Sequence, residues 1–220
     1  MWDKAVIMML VEGTFVTLYM TLVSTILAYL LGLPMGIALV VTAKDGLCPN
    51  KRIYKILDIV ANVVRSIPFL ILLILVIPFT RLVVGQSYGP TATIVPLTLA
   101  AAPFIARMVE SSLLEVDKGV IEAAQSMGAG LWTIIWKVML AESRTSLIVG
   151  GTIALGTILG YSAMAGAVGG GGLGDIAIRY GYYRYQVDIM LVTVVLLILL
   201  VQILQFVGMK ISRKLDKRTR

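Results

Sequence analysis

The sequence predicts an all-α integral membrane protein with five transmembrane helices, the N-terminus outside and the C-terminus in the cytoplasm. Three observations carry that expectation. Of 220 residues, 59% are apolar and 14% charged, and the mean hydropathy is +0.94. Soluble domains average about 45–50% apolar and about 25% charged, so too few polar residues remain here to cover a surface facing water. The apolar residues gather into runs near 14–41, 57–79, 91–109, 146–168 and 187–208. Each is near the ~20 residues that cross a hydrocarbon core about 30 Å thick. The Lys and Arg residues, finally, divide unequally between the two sides: 14 fall in 42–56, 107–145 and the tail, against Lys4, Arg81, Arg179 and Arg184 opposite. Positive charge favours the cytoplasmic side, and an odd number of spans then leaves the N-terminus outside.

The first run opens without a basic leader segment and is read as retained in the membrane. Within it, Gly32 and Gly36 stand four apart, as close helix contacts require, and Pro34 removes a backbone donor between them. The 42–56 loop carries Lys44, Lys51, Arg52 and Lys55. The second run contains Pro68 and an intramembrane charge, Arg65, which either snorkels to the inner face or pairs with an unnamed partner. Pro96 and Pro103 interrupt the third run, and Gly156 and Gly160 mark the fourth. Met164 follows them at the next i+4 step, so all three share a face. A polarizable thioether there is either core packing or a gate near the outer leaflet. Tyr161 and Ser162 beside it are the other pathway candidates. After the fifth run comes a basic tail, suited to the anionic lipid of a cytoplasmic leaflet.

Residues 110–145 are too polar to span. Asp117 is placed to cap a short helix over 118–131, and Gly128 suits its end, where a positive φ is often needed. A second amphipathic piece carries Leu131, Ile134, Ile135 and Val138. Such a loop either lies on lipid or docks a partner. Glu122 offers a carboxylate, and the small Ala123 and Ala124 allow close approach.

The string Glu122-Ala123-Ala124, three residues, Gly128, nine residues, Val138, one residue, Leu140 resembles the coupling loop of bacterial ABC importer permeases, departing at Ala141 where that family has proline. Arg65 to Phe69, Ile77 to Arg81, Ala102 to Glu110, Gly160 to Met164 and the glycine run at 169–174 resemble the methionine-uptake branch. The resemblance implies one permease domain over 1–220, of the type I importer fold, in a bacterial cytoplasmic (inner) membrane. It implies a second copy of the chain, two cytoplasmic ABC ATPases holding ATP and Mg, and an extracytoplasmic methionine-binding protein. Transport would proceed by alternating access, with Glu122, Ala123, Ala124, Gly128 and Leu140 coupling it to ATP hydrolysis.

Other functions have little support. Without histidine, and with Cys48 the sole cysteine, the chain offers no metal-ligand spacing and lacks the commonest general base. It has no phosphate-binding Gly-x-x-x-x-Gly-Lys-Ser/Thr, so it supplies no ATPase site and no cofactor is expected in it. The net charge of +7 is concentrated at the membrane faces rather than in a nucleic-acid module. The glycine run fits a dinucleotide fingerprint only on paper, lacking the flanking strand, and reads as a flexible outer turn facing the binding protein. An ATP-independent secondary transporter or channel is the alternative, but it would use membrane-embedded acids for ion coupling, and every Asp and Glu lies in or near a loop apart from Glu12 at the margin of the first span.

Overall fold

The computed structural model describes residues 3–215, which leaves Met1, Trp2 and three of the tail's basic residues (Lys217, Arg218 and Arg220) outside the described part. The described residues form helices and connecting turns, with no strand. Helix α1 (Lys4–Thr42) begins ten residues earlier than expected, because the Asp3 carboxylate accepts from Lys4 N at 2.7 Å and starts the first turn. Helix α2 (Lys51–Ser66) is capped by Asn50, whose Oδ1 accepts from Arg52 N and Ile53 N. Pro68 then starts α3 (Phe69–Leu75), and α4 (Ile77–Val84) ends at Gly85, with φ at +81°.

Helix α5 runs Pro90–Leu114, with Pro at its first position where no donor is needed, and the short α6 spans Lys118–Ser126. Residues 131–142 form α7, wound as a π-helix over Ile134–Met139. Helix α8 (Arg144–Ala165) closes in a 3₁₀ turn, Gly166–Val168. Helix α9 (Gly172–Ile176) continues as a π-helical stretch, Ala177–Tyr182, and α10 spans Val187–Leu215.

Four of these helices, α1, α5, α8 (with its closing turn) and α10, are long and apolar enough to cross a membrane. The span expected over 57–79 is broken instead: α2 and α3 make a fifth crossing only as a bent pair. The cause is local, since Pro68 has no N–H to donate and holds the residue before it out of the α region.

The chain divides into two compact units. One comprises residues 3–28, 67–101 and 155–205. Its core is Leu10, Leu173, Ile176 and Ile189, packed by Val6, Met9 and Leu196. Thr17 ties α1 to α9 by accepting from Leu173 N at 2.9 Å while donating to Gly13 O. The glycine run belongs to this unit. The expected flexible outer turn is not what it forms: Gly170, Gly172 and Gly174 are buried. A Cβ on Gly174 would run into the backbone of Ala163, and one on Gly166 into the backbone of Gly174. The glycines are there because two backbones touch.

The other unit comprises residues 29–66, 102–154 and 206–215. Gly32 and Gly36 meet α5 as their spacing predicts: a Cβ would lie 2.7 Å from Ala102 O and 2.6 Å from Ala106 O respectively. Tyr29 donates to Leu147 O at 3.1 Å, tying α1 to α8. Helix α2 is turned in an unusual sense. Its sole buried residue is Ala61, on its polar side, while Ile53, Ile56, Val60 and Val63 are exposed. An apolar face turned outward suits lipid or another protein, not water.

Candidate functional site

The 110–145 loop is built as its residues suggest. Asp117 caps α6 by accepting from Gly119 N at 2.7 Å. At the other end Ala129 N donates to Ala124 O at 3.0 Å, and Gly128 holds φ at +77°. A Cβ at Gly128 would meet nothing within 4 Å, so the requirement for glycine there is conformational alone. Ile134 and Ile135 are buried as expected, and Leu140 is half-buried where the π-helical winding of α7 ends.

The two alanines separate. Ala124 is buried and seats α6 on its own loop, which corrects the expectation that both face a partner; Ala123 and Glu122 are exposed. Around them stand large apolar groups with nothing covering them: Val120, Met127 at 81% exposure, Trp132 and Trp136. The tryptophans escaped the sequence reading, which followed the buried stripe of α7. Their i, i+4 spacing on the opposite side was the available signal.

The three pathway candidates do not act as a group. Met164 is exposed, not core, and Gly160 beside it has open space where a Cβ would stand. Gly156, by contrast, faces Gln205 Nε2 at 3.2 Å from a Cβ position, so the pair does not form one contact. Tyr161 stacks on Phe69, ring centroids 4.7 Å apart and planes within 5°. Ser162 is buried and donates to Leu159 O at 2.8 Å, which occupies its proton within its own helix.

Arg65, the expected intramembrane charge, is exposed in the last turn of α2 with no ion pair among the described residues. A cation at that end complements the helix dipole. The charge that organises this unit is Arg107 on α5. Its guanidinium pairs with Asp58, donates to Asn62 Oδ1 at 3.0 Å and pairs with Glu110 at 2.7 Å. Asn62 Nδ2 donates in turn to Asp58 at 3.2 Å. Asp58 and Asn62 lie one turn apart on α2, so a single planar fork holds that helix by its polar face. Sequence reading placed Arg107 in a cytoplasmic loop because the partner is 49 residues away.

Comparison with known proteins follows the same lines. Residues 28–220 match the model of a family described as binding-protein-dependent transport system inner membrane component. The "Probable D-methionine transport system permease protein" of Vibrio cholerae is 51% identical over 210 residues, covering 96% of this chain and 93% of that one. The methionine import system permease protein of Bacillus subtilis is 46% identical over 180 residues, 82% of this chain and 81% of that one. A solved structure of the MetNI methionine ABC transporter, described as inward facing, superposes with a TM-score of 0.97 at 47% identity, covering 98% of this chain and all of its counterpart.

Proposed function

This chain belongs to the family of binding-protein-dependent transport system inner membrane components, and we propose that it is the permease subunit of an ATP-driven methionine importer. Two copies would enclose the pathway, two cytoplasmic ATPases would dock on the coupling loops, and an extracytoplasmic binding protein would deliver substrate. Alternating access would then be driven by ATP held in the partner. The loop carries the reading. Glu122 and Ala123 stand exposed on a capped helix, and Val120, Met127, Trp132 and Trp136 present apolar surface beside them. Apolar and aromatic groups with one charge among them make a protein-binding surface. Ala124, Gly128 and Leu140 position that surface from within.

Glu122→Lys tests it. Reversing the charge replaces attraction with repulsion at the contact. Co-purification of the ATPase should weaken about tenfold, about 1.4 kcal/mol, and uptake should fall with it. Because Glu122 is exposed, insertion should be unchanged. Full co-purification with full uptake would show that the loop is not the docking site.

The proposed arrangement has five crossings, the bent α2–α3 pair included, with the N-terminus outside and the C-terminus in the cytoplasm of a bacterial inner membrane. Met164, exposed on α8, is assigned to the pathway side facing the second copy. Cys48, free and exposed within the basic 42–56 loop, reports the orientation. In sealed right-side-out vesicles it should react with a membrane-permeant maleimide and stay protected from an impermeant one. Rapid impermeant labelling would invert the topology.

A further inference from the structure

At the foot of α5 and α8 lies a hollow of about 290 Å³ that the proposed transport cycle does not use. It is lined by Ser112 on α5, Glu115 just past that helix, Glu142 and Ser143 where α7 gives way to α8, and Thr145 and Ser146 in the first turn of α8. The two ends of the 110–145 loop therefore meet at this hollow.

Its polar groups accept more than they donate. Glu115 and Glu142 stand exposed and have no ion pair among the described residues. The Ser143 proton goes to Met139 O at 2.7 Å, and Ser112 and Ser146 share one hydrogen bond at 3.0 Å. Carboxylates only accept, whereas ammonium and guanidinium groups only donate. A hollow of this composition suits Lys and Arg side chains and repels phosphate. Arg144, the nearest cation in sequence, neither lines it nor pairs with an acid among the described residues.

The end of α10 comes to the edge of the hollow. Ser212 is buried and donates to Thr145 O at 3.4 Å. Leu215, the last described residue, follows three positions later, about 4.5 Å of helix. Beyond it the sequence runs Asp216, Lys217, Arg218, Thr219 and Arg220, three cations against one acid. Two or three residues of chain reach up to about 7–10 Å, before the long side chain of Lys217 or Arg218 is added. A segment tethered so close is present at an effective concentration on the order of millimolar. Anionic lipid competes for the tail, since basic residues are drawn to a charged leaflet. It offers nothing to Glu115 and Glu142, which would stay unpaired.

We propose that the hollow is the seat of the chain's own basic tail, with Glu115 and Glu142 holding the cations of Lys217, Arg218 and Arg220 and bracing α10 against the base of the 110–145 loop. The inference stands apart from the importer reading, since every group in it belongs to this one chain. The test is a disulfide in native membrane vesicles, with the full chain and its partners in place. Cys48→Ser removes the native thiol. Thr145→Cys with Thr219→Cys places one thiol in the hollow and one in the tail while keeping every charge. Under a membrane-permeant oxidant, loss of reaction with a maleimide mass tag reads the rate of joining. It should be at least tenfold faster than in the same chain carrying Lys217→Glu, Arg218→Glu and Arg220→Glu. Glu115→Lys with Glu142→Lys should slow it to the same degree. Combining the two sets exchanges the charges and should restore the rate, a recovery that misfolding cannot give.

Equal rates in all four chains would overturn the proposal. Slowing by the tail reversals alone would overturn it in favour of lipid as the tail's seat. Slowing by the hollow reversals alone would overturn it too, because the tail's own charges would then be idle. So would slowing by both sets without recovery in the combination, which is an effect of added charge and not of pairing.

Discussion

Gly174→Val should leave little folded protein in the membrane. A Cβ at this position would stand 2.6 Å from Ala163 Cα and 2.7 Å from Ala163 C. Both are backbone atoms, so no rotamer change relieves the overlap. Overpacking in a core costs about 1–3 kcal/mol when side chains give way, and more when the backbone must move. Against a total stability of about 5–15 kcal/mol, the β-branched valine consumes a large share. Two controls isolate the cause. Gly160→Ala adds a methyl to open space at a helical φ and should leave the thermal midpoint of the purified chain unchanged. Gly169→Ala also meets nothing, but its φ of +78° costs an L-residue about 1–2 kcal/mol. The midpoints should therefore rank Gly160→Ala, then Gly169→Ala, then Gly174→Val. Equal loss at all three positions would mean that backbone contact is not why glycine stands at 174.

Arg107→Leu should produce the second large loss. The substitution leaves Asp58 and Glu110 facing a site that has lost its cation, with side chains 34% and 15% exposed. Stripping one partner from a fully buried pair costs about 3–5 kcal/mol. Partial exposure of Asp58 lets solvent screen some of that, so about 2–3 kcal/mol is expected here. Helix α2 should loosen first, because Ala61 is its sole buried residue and the guanidinium is its polar tie. Faster amide exchange over 51–66 than elsewhere would report this. Adding Asp58→Asn and Glu110→Gln to the same chain removes the stranded charges and should recover most of the midpoint. Arg65→Leu, at an exposed position, should change it little. A triple variant no more stable than Arg107→Leu would show that the side chain's packing matters, not its charge.

Much of this molecule is legible in one dimension, because a bilayer tests local properties. Length and hydropathy locate four of the five expected spans. Asp117 and Gly128 mark the ends of α6, since capping and a positive φ are set by residues within a turn of each other. The Gly32 and Gly36 spacing announces a close helix contact, and α5 supplies it at Ala102 and Ala106. Glu122 and Ala123 stand exposed on the helix that the motif foretells.

Where a partner distant in sequence decides the outcome, local reading fails. Arg107 looks like a loop charge until Asp58 and Asn62 are brought beside it from α2, and Arg65 stays open between snorkelling and pairing until its helix turns it outward. The glycine run reads as a flexible turn because flexibility is what glycine has alone. Pressed against Ala163, the same residues give closeness instead. Ala124 is buried against expectation, and Met164, left open between core and gate, is exposed, for the same reason: periodicity sets which residues share a face, but only the packing of other helices sets which face is covered. Composition, caps and helix period were thus determined by the sequence itself, each acting within a few residues. Burial, ion pairing and backbone contact were decided by the tertiary structure, because each depends on what a different stretch of chain places opposite.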